Sequence, residues 1–239
     1  MNKNICLWSG PRNVSTALMY SFAQRSDMLV VDEPLYGYYL KYIRNRPVHP
    51  DEDQIILEME TSAEIILAEM HISVLPKIKF FKNMTHHLEG LDWDFLEGLD
   101  HIILTRDPME TIASYAQVIP NPTEKDLGYH RSLALLNHLS LNGNKPAVLD
   151  SKKLLTNPKR VLEALCEYLG LPFDVSMLQW ERGARKEDGI WASYWYASVH
   201  NSTGFEPYRA SNHPFPTHLK GLLNSVTPAY EKLASFALE

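Results

Sequence analysis

The sequence predicts a three-layer α/β/α domain around a central, mostly parallel sheet of about five strands. Two observations carry this. Five short apolar runs alternate with stretches of helical periodicity. The runs are also nearly continuous in their hydrophobicity, as strands covered on both faces are.

Residues 4–8 (NICLW) form the first predicted strand. A turn at Ser9–Asn13 leads into a helix from about Ser15 to Arg25, where Val14, Leu18 and Phe22 repeat at helical spacing. Residues 28–32 (MLVVD) are the second strand, followed by Glu33-Pro34 and by helices near 35–44 and 53–71. Residues 77–82 (KIKFFK) and 101–105 (HIILT) are the third and fourth strands. Asp107, Pro108 and Glu110 then make a capping-box pattern for a helix reaching about Val118. A longer helix spans about 124–141, and 146–150 (PAVLD) is the fifth strand. Asn157-Pro158 caps a helix that stops at Gly170. Residues 183–215 read as a long ordered loop, and the last helix covers about 227–237.

With 239 residues, a fold of one domain (1–239) hides roughly 70% of its unfolded surface and needs no disulfide or metal to support its core. The two cysteines, Cys6 and Cys166, fall on buried positions and read as reduced thiols, which with no leader or membrane span points to the cytoplasm. The net charge of −6 argues against nucleic-acid and membrane-surface partners, while leaving room for a local basic pocket.

Ligands of parallel α/β sheets bind at the carboxyl ends of the strands. SGPRNVST (Ser9–Thr16) follows the first strand. Its amides lead into a helix amino-terminus, Arg12 adds a charge, and Ser15 and Thr16 add hydroxyls, which is what a phosphate needs. The plainer reading is a strand–helix turn capped by Ser15. A Walker A motif opening at Gly10 would put Gly-Lys-Ser/Thr at positions 15 to 17; the chain has Ser15, Thr16 and Ala17, which disfavours ATP hydrolysis. Asp32 and Glu33 end the second strand as a candidate base or as a helix cap. Lys82 ends the third, and His86 and His87 follow as a catalytic, capping or solvated pair with no metal partner nearby. Arg106 ends the fourth, with Ser114 eight residues on along the next helix, a pair able to hold a second phosphate. The plainer reading pairs Arg106 with Asp107 or another carboxylate.

Together these segments resemble the sulfotransferase family that uses 3′-phosphoadenosine-5′-phosphosulfate. Pro11, Arg12, Ser15 and Thr16 fall on the proline, basic residue and two hydroxyls of that family's 5′-phosphosulfate loop, while Asn13 and Val14 depart from its usual Ser-Gly. Arg106 and Ser114 match its 3′-phosphate pair. Val148–Asp174 is similar to its strand, short polar helix, Asn-Pro and closing LGLP. A bacterial-type subgroup shares EPLY after the second strand and His-His after the third. The Lys-Thr-His of the cytosolic eukaryotic branch is replaced by Lys82-Asn83-Met84, so the base stays open among Glu33, His86 and His87. That branch's RKG…GDWK signature is absent; Asn201–Phe205 or Arg185-Lys186 would take its place. Trp191, Tyr194, Trp195 and Tyr196 read first as core and second as a stacking surface for a base.

The resemblance implies a P-loop nucleoside-triphosphate-hydrolase-like fold and a transferase that moves a sulfuryl group from 3′-phosphoadenosine-5′-phosphosulfate to a hydroxyl or amine of a small-molecule acceptor, without a metal. It implies that Ser9, Gly10, Pro11, Arg12, Asn13, Val14, Ser15 and Thr16 hold the 5′ end of the donor and that Arg106 and Ser114 hold the 3′-phosphate. Arg12 and Lys82 would stabilise the leaving phosphate, and Glu33 or His86 would take the acceptor's proton. Residues 35–75 and 175–215 would wall the acceptor pocket. The alternatives are a nucleotide-dependent kinase on the same architecture and a non-catalytic nucleotide-binding protein. The oligomeric state is open, a homodimer among the options.

Overall fold

The computed structural model describes residues 4–74, 77–210 and 213–239. Residues 1–3, 75–76 and 211–212 lie outside the described part; they belong to the expected single domain and, from 75 and 211–212, to the expected acceptor walls. The strands are β1 (Ile5–Ser9), β2 (Met28–Asp32), β3 (Ile78–Met84), β4 (Asp100–Thr105) and β5 (Ala147–Asp150). They form one sheet in the order β2-β3-β1-β4-β5, with every pair parallel. The chain leaves β1 toward one edge and, after β3, crosses to the other. The crevice of a doubly wound sheet therefore opens at the carboxyl end of β1.

The helices are α1 (Ser15–Phe22), α2 (Tyr36–Tyr42), α3 (Glu52–Glu58), α4 (Ala63–His71), α5 (Pro108–Tyr115), α6 (Glu124–Leu127), α7 (Tyr129–Leu141), α8 (Ser151–Thr156), α9 (Pro158–Tyr168), α10 (Ala192–Trp195), α11 (Ala197–His200) and α12 (Lys220–Ala234). Strand alternation divides the core. Leu7, Phe80 and Ile102 pack with Leu18 and Phe22 of α1 and Leu162 and Leu165 of α9 on one face. Cys6, Trp8, Phe81 and Ile103 pack with Ile66 of α4, Leu135 and Leu139 of α7 and Leu233 of α12 on the other. Both cysteines are buried free thiols. Among the described residues no helix is long and apolar enough to cross a membrane.

Several helix boundaries differ from those the sequence predicts. The stretch 53–71 is two helices. The Glu60 carboxylate accepts from the Thr61 and Ser62 amides, both at 2.7 Å, and Ser62 then caps α4, so local side-chain bonds outcompete helix continuation. The stretch 124–141 is also two, because Gly128 is left-handed (φ 75°) between α6 and α7. Residues 183–215 carry the short helices α10 and α11. Asp150 caps α8 through the Lys152 and Lys153 amides. The final helix starts at Lys220 rather than 227 and runs through Pro228, because burying Val226, Ala229 and Leu233 on one face outweighs the break. Asp107 caps α5 through the Met109 amide, but Glu110 turns to Arg106 instead of closing a capping box.

Candidate functional site

The β1–α1 loop is fixed by its own sequence. A Cβ on Gly10 would lie 2.4 Å from the Leu127 carbonyl oxygen, so only glycine lets the loop seat on the end of α6. The Asn13 side chain donates to the Leu104 carbonyl (3.1 Å) and accepts from the Ser151 hydroxyl (3.2 Å), pinning the turn to β4 and α8. Val14 precedes α1 and makes no side-chain cap bond; Ser15 is the buried first residue of α1, not its cap. The amides at the start of α1 are thus left to the cleft. Ser9 is fully buried, its hydroxyl against Met84 Sδ.

Arg12 stands in this loop with a left-handed backbone (φ 56°). Its Nε donates to Ser114 Oγ at 3.1 Å, and its carbonyl accepts from Arg106 Nη1 at 2.7 Å. Arg106 pairs with Glu110 through Nε (3.1 Å) and Nη2 (3.0 Å), so its carboxylate partner is Glu110 and not Asp107. Arg12 makes no ion pair among the described residues. Burial, then the charge of Arg106, pushes its guanidinium below its usual pKa. An anion placed here would reverse both costs.

The second cluster comes from strand register. Asp32 and Lys82 are direct partners on the parallel strands β2 and β3, so their side chains share one face. Lys82 Nζ donates to Asp32 Oδ1 (2.9 Å), to the Tyr196 hydroxyl (2.6 Å) and to Glu33 Oε1. Those three acceptors take all three ammonium hydrogens. Tyr196 Oη is also 2.8 Å from Asp32 Oδ2 and accepts from Trp191 Nε1 at 3.1 Å. Glu33 has a left-handed backbone (φ 45°), and the helix that follows takes Leu35 as its N-cap with no side-chain bond. Asp32 and Glu33 are therefore not caps. Burial lowers the proton affinity of Lys82, but Asp32 and Glu33 reverse this and its pKa lies above the usual lysine value. Burial raises the Glu33 pKa; Lys82 opposes the rise and Asp32 adds to it.

Of the readings open for His86 and His87, the solvated one does not hold, since both side chains are buried. The turn at Thr85–Leu88 is 3-10, and the two buried rings lie 4.5 Å apart edge to face. His87 stacks on Tyr36 (5.0 Å) and lies 4.8 Å from Tyr39. Burial, with His49 and Arg131, lowers the His86 pKa to about 3, and His87 is pushed well below its usual value by burial and His86.

A cavity of about 460 Å³ joins the two clusters. Pro11, Arg12, Asn13, Val14, Ser15, Thr16, Glu33, Lys82, His86, His87 and Arg106 line it, while Ser9, Gly10 and Ser114 do not. Of the two stretches proposed in place of RKG…GDWK, Ser202, Gly204 and Phe205 reach the cavity, whereas Arg185 lies over the Tyr20 ring and pairs with Glu187. In the aromatic run Trp191 and Tyr196 are buried, as core reading expects, but the Tyr196 hydroxyl also enters the Lys82 cluster. Sequence reasoning missed His49, whose Nδ1 lies 2.5 Å from the Tyr36 hydroxyl at the cavity wall. Nothing in its local sequence marks it.

Sheet order and cleft define a class, the doubly wound parallel α/β domains, with cations gathered at the carboxyl edge of the sheet. Within that class the chain belongs to the sulfotransferase domain family, a transferase family, whose family model matches residues 3–237. Branched-chain-amino-acid aminotransferase-like protein 1 of Arabidopsis thaliana is 38% identical over 231 residues, which cover 95% of this chain and 41% of that protein. Branched-chain-amino-acid aminotransferase-like protein 2 of the same plant is 36% identical over 228 residues, covering 95% and 40%. The chain thus spans about two-fifths of the length of these curated relatives. Among solved structures, the sulfotransferase domain from the curacin biosynthetic pathway superposes with a TM-score of 0.56 at 17% identity, over 98% of this chain and 97% of that one. A sulfotransferase from Alicyclobacillus acidocaldarius gives 0.56 at 11% identity, over 98% and 95%. At these identities the superpositions speak to the fold.

Proposed function

We propose that this domain transfers a sulfuryl group from 3′-phosphoadenosine-5′-phosphosulfate to a hydroxyl or amine of a small-molecule acceptor. The observation that carries the reading is a single cavity in which a phosphate-type loop bearing the unpaired Arg12 faces the Glu33–Lys82 cluster. The donor fits the residues present. The start of α1 offers amides, Arg12 offers a half-buried guanidinium with no carboxylate partner among the described residues, and Arg106 with Ser114 stands beside it for a second phosphate. Buried free thiols suit a reducing compartment such as the cytoplasm.

In the reaction the acceptor oxygen or nitrogen bonds to sulfur, the bond from sulfur to the 5′-phosphate oxygen breaks, and the acceptor's proton leaves to a base. Positioning and charge stabilisation do most of this work, as in phosphoryl transfer. Arg12 and the loop amides hold the departing phosphate. Glu33 is the base the site favours. Its raised pKa moves it toward neutrality, where a general base works best, whereas His86 at about 3 is too weakly basic and His87 is enclosed by rings.

Calorimetry with adenosine 3′,5′-bisphosphate tests the reading. Saturable one-to-one binding is expected. No heat at millimolar ligand overturns it, and stronger thermal stabilisation by ATP with magnesium would point to a phosphoryl donor instead.

A further inference from the structure

Asp32 and Tyr196 lie outside the residues that the proposed reaction uses, yet both grip its cluster. From this geometry we infer that Asp32 and Tyr196 are positioning residues: they hold the Lys82 ammonium against Glu33 and so fix the carboxylate that takes the acceptor's proton. The identity of the base rests on the function proposed above; the grip itself does not.

Three features argue for a clamp rather than ordinary core packing. Lys82 is 1% exposed, Asp32 7% and Glu33 7%, so each bond forms where an unmade one is costly. The clamp is complete, since Lys82 has no ammonium hydrogen left and Tyr196 accepts from both Lys82 and Trp191 while donating to Asp32. Its members also come from two distant parts of the chain: Tyr196 is 164 residues from Asp32 and sits between α10 and α11, in the segment that walls the cavity. The charged and titratable groups facing Glu33 are Lys82, Asp32, Tyr196, His87 (4.0 Å away), Tyr36 of α2 and Tyr115 of α5.

Two substitutions act on Glu33 in opposite directions. Tyr196→Phe removes one of the three acceptors that hold the Lys82 ammonium in place, so the ion pair with Glu33 loosens and Glu33 binds its proton more tightly. Asp32→Asn removes a neighbouring negative charge and leaves Glu33 as the one carboxylate on the Lys82 ammonium, so the proton is held less tightly. A residue that only anchors the 183–215 segment would alter stability and leave this titration still.

The experiment follows the Glu33 carboxyl resonance by 13C NMR against pH in the wild type, Tyr196→Phe and Asp32→Asn, which requires no substrate. An upward shift of about half a unit or more in Tyr196→Phe and a downward one in Asp32→Asn are expected. Where turnover is measured, the acid limb of kcat should move the same way and kcat should fall about tenfold or more, since general bases typically contribute more than that. Bisphosphate affinity should stay within about twofold, neither side chain belonging to the loop. An unmoved Glu33 titration in Tyr196→Phe overturns the inference, and that near-isosteric variant decides alone if Asp32→Asn does not fold. Absence of bisphosphate binding and turnover in the wild type would instead defeat the functional reading and leave the NMR result standing.

Discussion

Arg12 and Glu33 are two of four non-glycine residues with positive φ among the described residues, and both face the cavity. Such a backbone costs about 1 kcal/mol or more, and persists where the surroundings fix it, as at binding sites. For Arg12 the surroundings are the Ser114 bond and the Arg106 bond to its carbonyl. Arg12→Ala is therefore expected to weaken adenosine 3′,5′-bisphosphate about 10- to 100-fold by calorimetry, the worth of one or two charge-assisted bonds. Its Tm should stay within a few degrees, because the backbone strain is common to both residues and no ion pair is lost. Arg12→Gly should be at least as stable as the alanine variant, since glycine accepts φ 56°. A large drop in Tm for both would make Arg12 a strut rather than a ligand group. Arg12, Lys82 and Arg106 were all legible as cations at strand ends. Tyr196 was not legible as a site residue, because its partners are set by tertiary folding and an aromatic in an apolar run reads as core.

At the level of elements, the strands were legible to within about two residues, because five short, mostly apolar runs stand between turn and helix-cap signals. The helices were legible in place but not in number. Their apolar period runs straight through Gly128, and nothing in that period shows that Thr85 lies too close for a side chain there: a Cβ would come 2.4 Å from Thr85 Oγ1. The same kind of contact governs the β1–α1 loop. Gly10 presses on the Leu127 carbonyl, so α6 acts as the seat that sets how far the loop projects into the cleft. Gly10→Ala is expected to force loop and helix apart, costing about 1–3 kcal/mol by urea denaturation. It should also lower bisphosphate affinity, although residue 10 does not line the cavity. Unchanged affinity with a lowered urea midpoint would show that the loop relaxes without moving Arg12.

For the whole molecule, the charge of −6 and the cations of the cleft are compatible because these cations are few and each has a defined place at one sheet edge. The neutral side of the same interior has a larger consequence. His49, His86 and His101 hold pKa values of about 4, 3 and 4, chiefly through burial, and His87 is depressed as well. His101 Nδ1 accepts from Trp8 Nε1 at 3.1 Å, a bond that only the neutral ring can make. These rings have an ordinary value of 6.5, so below that pH the unfolded chain takes up protons that the folded one refuses. Stability is therefore fully present above pH 6.5 and is lost as pH falls from there toward 4. Each such histidine costs about 1.4 kcal/mol per pH unit within that window. Glu33 acts with the opposite sign, since its raised pKa favours the folded state on the acid side, but it is one carboxylate against four imidazoles. Thermal unfolding between pH 7.5 and 5 should show Tm falling from about pH 6.5 downward, in a range where most carboxylates remain ionised. His86→Gln should reduce the slope by about one proton's worth. A Tm that stays level to pH 5 would mean that the folded protein admits protons to these rings, and would remove the argument that excludes His86 as the base.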